Sequence, residues 1–183
     1  MIIGNNIRLR PLEKEDLPRC AGWINDPEVR EYLIYHTPIS MDFEMAWYES
    51  KVKGQIEELP FIIEINTTEG WIPIGNTSFV SLNWRDRQAE VGIFIGEKQY
   101  WNQGYGTQVM KLMLQYGFNG LNLHRISLQV FDFNKRGIRS YEKAGFTLEG
   151  KLRQARFRNG KYSDILLMSI LRPEWDKLQN ELQ

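Results

Sequence analysis

The sequence predicts a mixed α/β domain built around a mostly antiparallel sheet. Three observations carry that expectation. Between Phe61 and Ile95 the chain is rich in β-branched and aromatic residues and is broken only by short turns. After Gly96 the apolar spacing turns helical, and near the end Asn159-Gly160 separates two further strand-like runs as a hairpin turn. Short connections join only antiparallel neighbours, so the middle reads as a meander.

Taken in order, Ile7-Arg8-Leu9-Arg10 alternates as a first strand, and Pro11-Leu12 leads into a short acidic helix near Glu13–Trp23. Pro27 and Pro38 punctuate a loop-rich stretch. Ser40 can cap a second helix with Asp42 and Glu44 in its favourable first turn; Met41, Met45, Tyr48 and Val52 then recur at helical spacing, as a core stripe would. Strands follow at Phe61–Asn66, Trp71–Asn83 and Ala89–Ile95, with turn signals at Glu69-Gly70 and Arg85-Asp86. Val109, Leu112, Met113 and Tyr116 mark a helix that Gly120 can stop. Ile126, Leu128 and Val130 alternate as a strand, and a helix over about Lys135–Ala144 stops at Gly145 before the closing hairpin. The order βαα-βββ-α-β-α-ββ, in 183 residues without repeat or linker, predicts one domain over 1–183.

Composition narrows the class. Apolar residues make up 42% and charged ones 25%, as in folded globular chains. No apolar run reaches membrane-span length, and the start lacks a signal-peptide pattern, so a cytoplasmic protein is expected. One cysteine (Cys20) and two histidines (His36, His124) leave too few soft ligands for a zinc site, and no metal is expected. A net charge of zero argues against bulk electrostatic binding of nucleic acid. The charge is unevenly spread, however: Glu13 to Glu58 holds 11 acidic and 5 basic residues, Phe131 to Lys161 holds 9 basic and 3 acidic. Two solvated faces of opposite sign would give this pattern, as would a site taking an anionic ligand on one side and a cationic one on the other.

Two segments carry chemistry. Tyr100-Trp101-Asn102-Gln103-Gly104-Tyr105-Gly106-Thr107 lies between a strand and a helix, where glycines let the backbone aim N–H groups at one point and the helix start adds partial positive charge. A phosphate or pyrophosphate suits such a turn, although a plain connecting loop looks similar. The dinucleotide fingerprint fails, because Val109 stands where Gly or Ala is needed. Gly145–Leu152 nearly spells a nucleotide P-loop, but Leu152 replaces its Ser or Thr and the segment continues as strand. The second segment runs from Asn134 to Phe146. Asn134 can cap the helix, and Tyr141 shares the apolar face of Ile138, so that a buried core tyrosine is one reading of it.

With these residues assembled, the chain resembles the GCN5-related N-acetyltransferase (GNAT) family. It is closest to the branch of ribosomal-protein N-terminal acetyltransferases and spermidine acetyltransferases. The resemblance rests on Ile7–Leu12 with Glu15-Asp16-Leu17, Ala89-Glu90-Val91-Gly92, Gln103–Thr107, Asn134 with Tyr141–Phe146, and Glu149-Gly150. One departure is Trp101, which holds the first place of a phosphate motif that often begins with Arg or Gln.

The resemblance implies a GNAT fold with a splayed parallel strand pair and helices on both faces. It also implies acetyl-CoA as co-substrate and direct transfer to a small-molecule or peptide amine. Backbone groups of Phe94, Ile95 and Gly96 would meet the pantetheine arm, and N–H groups of Gln103, Gly104, Tyr105, Gly106 and Thr107 the pyrophosphate. Asn134 would contact the arm, with Arg139 and Lys143 near the adenosine 3′-phosphate. Tyr141 would be the proton donor to the leaving thiolate, and Glu90 the base, directly or through water; a strand carboxylate facing solvent is the plain alternative for Glu90. A protein N-terminus is the first acceptor considered. A polyamine or other small amine is the alternative, its spermidine form weakened because Leu33–Ser40 holds no carboxylate although Asp42, Glu44 and Glu49 follow. A non-catalytic acyl-CoA sensor is the rival of another class, and homo-oligomerisation is left open.

Overall fold

The computed structural model describes residues 1–181 and is a mixed α/β structure, as the sequence predicts. Eight strands form a sheet in the order β1-β2-β3-β4-β5-β6-β8-β7. They are β1 (Ile2–Ile3), β2 (Ile7–Pro11), β3 (Phe61–Thr67), β4 (Gly70–Asn83), β5 (Gln88–Ile95), β6 (Arg125–Phe131), β7 (Thr147–Arg158) and β8 (Lys161–Leu171). The helices are α1 (Leu17–Asn25), α2 (Pro27–Arg30), α3 (Met41–Val52), α4 (Tyr105–Gln115), α5 (Lys135–Ala144) and α6 (Arg172–Glu181). β1–β2, β2–β3, β3–β4, β6–β8 and β7–β8 pair antiparallel. β5 and β6 pair parallel from Gln88↔Arg125 to Glu90↔Ser127, although β5 continues to Ile95 and β6 to Phe131.

The chain groups into two compact units, with β4 and β5 running through both. One holds Met1–Phe79 and Gly92–Tyr105; the other holds Val80–Val91 and the chain from Gly106 onward. In the first unit the alternation of β2 decides the packing. Ile7 and Leu9 are buried, while Arg8 and Arg10 sit on the opposite face, and the register sets Arg8 across from Glu64. Arg8 donates to Glu64 at 2.6 Å, and Arg10 donates to Glu64 at 2.9 Å and forks onto Asp16 at 2.6 and 2.7 Å. Burial alone would raise the Asp16 carboxyl, but Arg10 and the Glu13 N–H hold it below its ordinary range. The motif around Ile7–Leu17 is thereby a structural brace between the sheet and α1.

The second unit buries Val109, Met113, Phe118, Ile126, Ile170 and Trp175, so α4 shows its expected apolar face. After Gln115 the helix widens into a π turn over Tyr116–Gly120, so Gly120 closes that turn and not the α-helix itself. Arg125 forks onto Glu149 and holds its carboxyl down at about 2, which gives the Glu149-Gly150 motif a bracing role on β7.

Three expectations need correction. α3 spans the predicted stretch with Ser40 as its cap, Phe43 N–H donating to Ser40 Oγ at 3.1 Å. Its apolar stripe meets the core only in part: Met45 and Tyr48 pack against the cluster of Leu12, Leu17, Cys20, Trp23 and Ile62, whereas Met41 and Val52 are exposed and Glu44 is the fully buried residue. Apolar residues surround this helix, so more than one stripe fits the helical period. The stretch read as loop contains α2, which Asp26 caps through the N–H groups of Glu28 and Val29. β1 and α6 have no counterpart in the sequence reading.

Candidate functional site

In the first unit, β5 ends against β4 in a way that selects which backbone groups stay available. Thr77 Oγ1 donates to the Gly92 carbonyl at 2.8 Å, and a Cβ on Gly75 would lie 2.1 Å from the Phe94 carbonyl oxygen. Gly92 and Phe94 therefore turn their carbonyls toward β4, and strand alternation directs Ile93 and Ile95 the other way. The Ile95 carbonyl accepts the indole N–H of Trp101 at 2.8 Å. Gly96 N–H and Glu97 N–H donate to the Ile74 carbonyl at 2.8 and 3.1 Å. Of the expected trio Phe94, Ile95 and Gly96, the Phe94 carbonyl, the Ile95 carbonyl and the Gly96 N–H are thus turned to or bonded by the protein. Ile93, absent from the sequence reading, shares the outward direction of Ile95. Gly96 must lack a side chain, since a Cβ there would sit 2.1 Å from the Trp23 ring, whose N–H donates to Glu97 at 2.9 Å.

The glycine turn follows. Asn102 (φ 61°) and Gly104 (φ 85°) both take the left-handed conformation, and Asn102, Gln103 and Gly104 are exposed. α4 starts at Tyr105, so the first N–H groups of Tyr105, Gly106 and Thr107 have no partner within the helix and point out of its start. In the second unit the start of α4 lies close to α5. A Cβ on Gly106 would be 3.1 Å from Ser140 Oγ, and Thr107 Oγ1 is 3.0 Å from the same atom. A turn of this shape, with unpaired N–H groups at a helix start, fits the pyrophosphate of a coenzyme A.

Asn134 stands where β6 passes into α5 and caps that helix, accepting the Gly137 N–H at 2.9 Å. A Cβ on Gly137 would come within 2.7 Å of the Asn134 amide, so this glycine keeps room for the cap. Tyr141 lies on α5, half-buried, with its ring edge-on to Phe146 at 6.2 Å. Burial pushes its phenol up to about 12, against the opposing pull of the Arg136 charge. Arg139 and Lys143 are exposed on the same helix. Glu90 is half-buried on β5, opposite Ser127 of β6, and accepts from Gln129 Nε2 at 3.4 Å. Among the described residues no cluster of three metal-ligating side chains occurs. Cys20 is fully buried, and desolvation pushes its thiol up to about 12, so it is no nucleophile.

The comparisons decide the family. The acetyltransferase (GNAT) domain profile matches residues 6–147. The chain belongs to the GNAT acetyltransferases. It is 31% identical to the spermidine N(1)-acetyltransferase of Escherichia coli strain K12, over 94% of this chain and 89% of that one. It is 27% identical to a putative ribosomal N-acetyltransferase, YdaF, of Bacillus subtilis, over 95% and 96% of the two chains. Among solved structures it resembles the spermidine N-acetyltransferase of Vibrio cholerae in complex with CoA and spermine, with a TM-score of 0.85 and 28% identity over 94% of this chain and 99% of that one. This GNAT chain is accordingly an acetyl-CoA-dependent N-acetyltransferase. No helix among its described residues is long and apolar enough to cross a membrane.

Proposed function

We propose that the protein transfers the acetyl group of acetyl-CoA to a primary amine of a polyamine. The observation that carries this reading is the whole-chain likeness to spermidine acetyltransferases, including the one solved with CoA and spermine. A protein N-terminus, the acceptor considered first from the sequence, is the second reading, supported by the likeness to YdaF at lower identity.

Acetyl-CoA supplies the activated acetyl thioester. On this reading the N–H groups of the Gln103–Thr107 turn hold its pyrophosphate, Asn134 meets the pantetheine arm, and Arg139 and Lys143 meet the adenosine phosphate. The attacking amine must first be neutral. At pH 7 an alkyl amine of pKa near 10 is neutral in about one molecule in a thousand, a cost of about 4 kcal/mol, and Glu90 takes its proton directly or through water. As the amine nitrogen bonds to the acetyl carbon, the carbon–sulfur bond breaks, the Tyr141 phenol gives its proton to the departing sulfur, and the second proton of the acylated nitrogen returns to the phenolate to leave a neutral amide. A phenol near 12 facing a thiol of ordinary pKa about 8.5 leaves roughly 5 kcal/mol against transfer to a free thiolate. Proton donation therefore accompanies bond cleavage, and the Arg136 charge eases the transient phenolate.

The test is thiol release from acetyl-CoA with a panel of spermidine, spermine, a monoamine and peptides of free N-terminus, with products identified by mass. Spermidine or spermine should give the highest kcat/KM. A peptide N-terminus outrunning every polyamine would replace this reading with the second one.

A further inference from the structure

We infer that Trp101 is a positioning residue for acetyl-CoA, holding the end of β5 and the start of the glycine turn in one fixed relation. The sequence marks this position as a departure, since the phosphate motif of the family often begins with Arg or Gln. A tryptophan cannot replace a guanidinium on a phosphate. Its side chain turns back: the indole N–H donates to the Ile95 carbonyl at 2.8 Å, six residues earlier. The ring meets Tyr32, from the segment after α2, edge-on at 6.1 Å.

The bond matters because of what surrounds it. On the other side of the Ile95–Gly96 peptide, the Gly96 N–H is bonded to Ile74, and the Trp23 ring lies where a Gly96 side chain would be. The peptide is thus held through its oxygen by Trp101, through its nitrogen by β4, and from above by Trp23. Without the indole, the Ile95 carbonyl would be a loose acceptor directed away from β4, free to compete for donors. The segment Glu97–Trp101 would stay tied at its start, where Glu97 N–H donates to Ile74, but its far end at Trp101 would lose its bond back to β5. The next residues, Asn102 and Gly104, already hold left-handed conformations, so an anchor immediately before them keeps the turn's N–H groups aimed. Fixing those groups in advance lowers the ordering cost of binding, and the effect should fall on affinity and not on chemistry.

This inference rests on the glycine turn as the coenzyme site and not on the identity of the amine. Trp101→Phe keeps an aromatic ring toward Tyr32 while removing the N–H together with part of the indole. Tyr32→Leu does the reverse. Calorimetric titration with CoA should show Trp101→Phe binding about ten-fold more weakly than wild type, while kcat at saturating acetyl-CoA stays within about two-fold and Tyr32→Leu shifts affinity less than about three-fold. Equal CoA affinity in Trp101→Phe and wild type overturns the inference, as does an equal loss in Tyr32→Leu, which would make the ring contact responsible. Should Trp101→Phe not fold, the wild-type indole resonance decides. Its Nε1 proton should be protected from solvent exchange both without and with CoA, and unprotected exchange in either state overturns the assignment. Failure of polyamine turnover in wild type would show in the acceptor panel and leaves these readouts unaffected.

Discussion

Replacing Glu44 with leucine should make the protein more stable, and the gain should depend on pH. Glu44 lies on α3 at 1% exposure with neither oxygen hydrogen-bonded, and burial raises its carboxyl from 4.5 to about 7. A folded-state pKa above the unfolded value means that the native state binds the proton more tightly. The cost of this carboxylate is therefore absent at low pH, grows as pH rises through 4.5, and levels off above 7. With those two values the cost is under about 1 kcal/mol at pH 5 and about 3 kcal/mol at pH 8. Glu44→Leu removes it at a similar side-chain volume. Urea unfolding of both proteins at pH 5 and pH 8 should show the advantage of the variant growing by about 2–3 kcal/mol between them. A stability difference that is the same at both pH values would refute the reasoning, because it would mean that Glu44 does not titrate between them in the folded state.

Tyr141→Phe should lower kcat at least about ten-fold while CoA affinity, by calorimetry, changes less than about two-fold; unchanged turnover would remove Tyr141 from the chemistry. Glu90→Gln should lower kcat/KM for the amine at least about ten-fold at pH 7, and wild-type turnover would count against the base role. Gly96→Ala places a methyl group 2.1 Å from the Trp23 ring and should lower stability by about 1–3 kcal/mol, read as a lower Tm; an unchanged Tm would contradict the packing described at the end of β5.

Much of this architecture can be read from local patterns, because strand alternation and turn residues act over a few positions. Strands β2 to β8, the caps Ser40 and Asn134, and the turn at Asn159-Gly160 all follow from such short-range signals. Asp26-Pro27 carried an equally local signal for α2, a capping side chain before a proline at the first helical position. α3 shows where the approach fails: with apolar residues around the whole helix, only the neighbours supplied by α1 and the core decide that Glu44 and not Met41 is buried. The candidate site divides in the same way. Its glycine turn and the Asn134 cap are local, whereas the indole of Trp101 on Ile95 and the facing of Phe94 toward Gly75 depend on tertiary contacts.

The most direct test is a crystal structure of the protein with acetyl-CoA. We expect the pyrophosphate within hydrogen-bond distance of the N–H groups between Gly104 and Thr107, and the Tyr141 hydroxyl beside the thioester sulfur. A complex with the coenzyme bound elsewhere, or with the Tyr141 hydroxyl far from the sulfur, would contradict the assignment of the site.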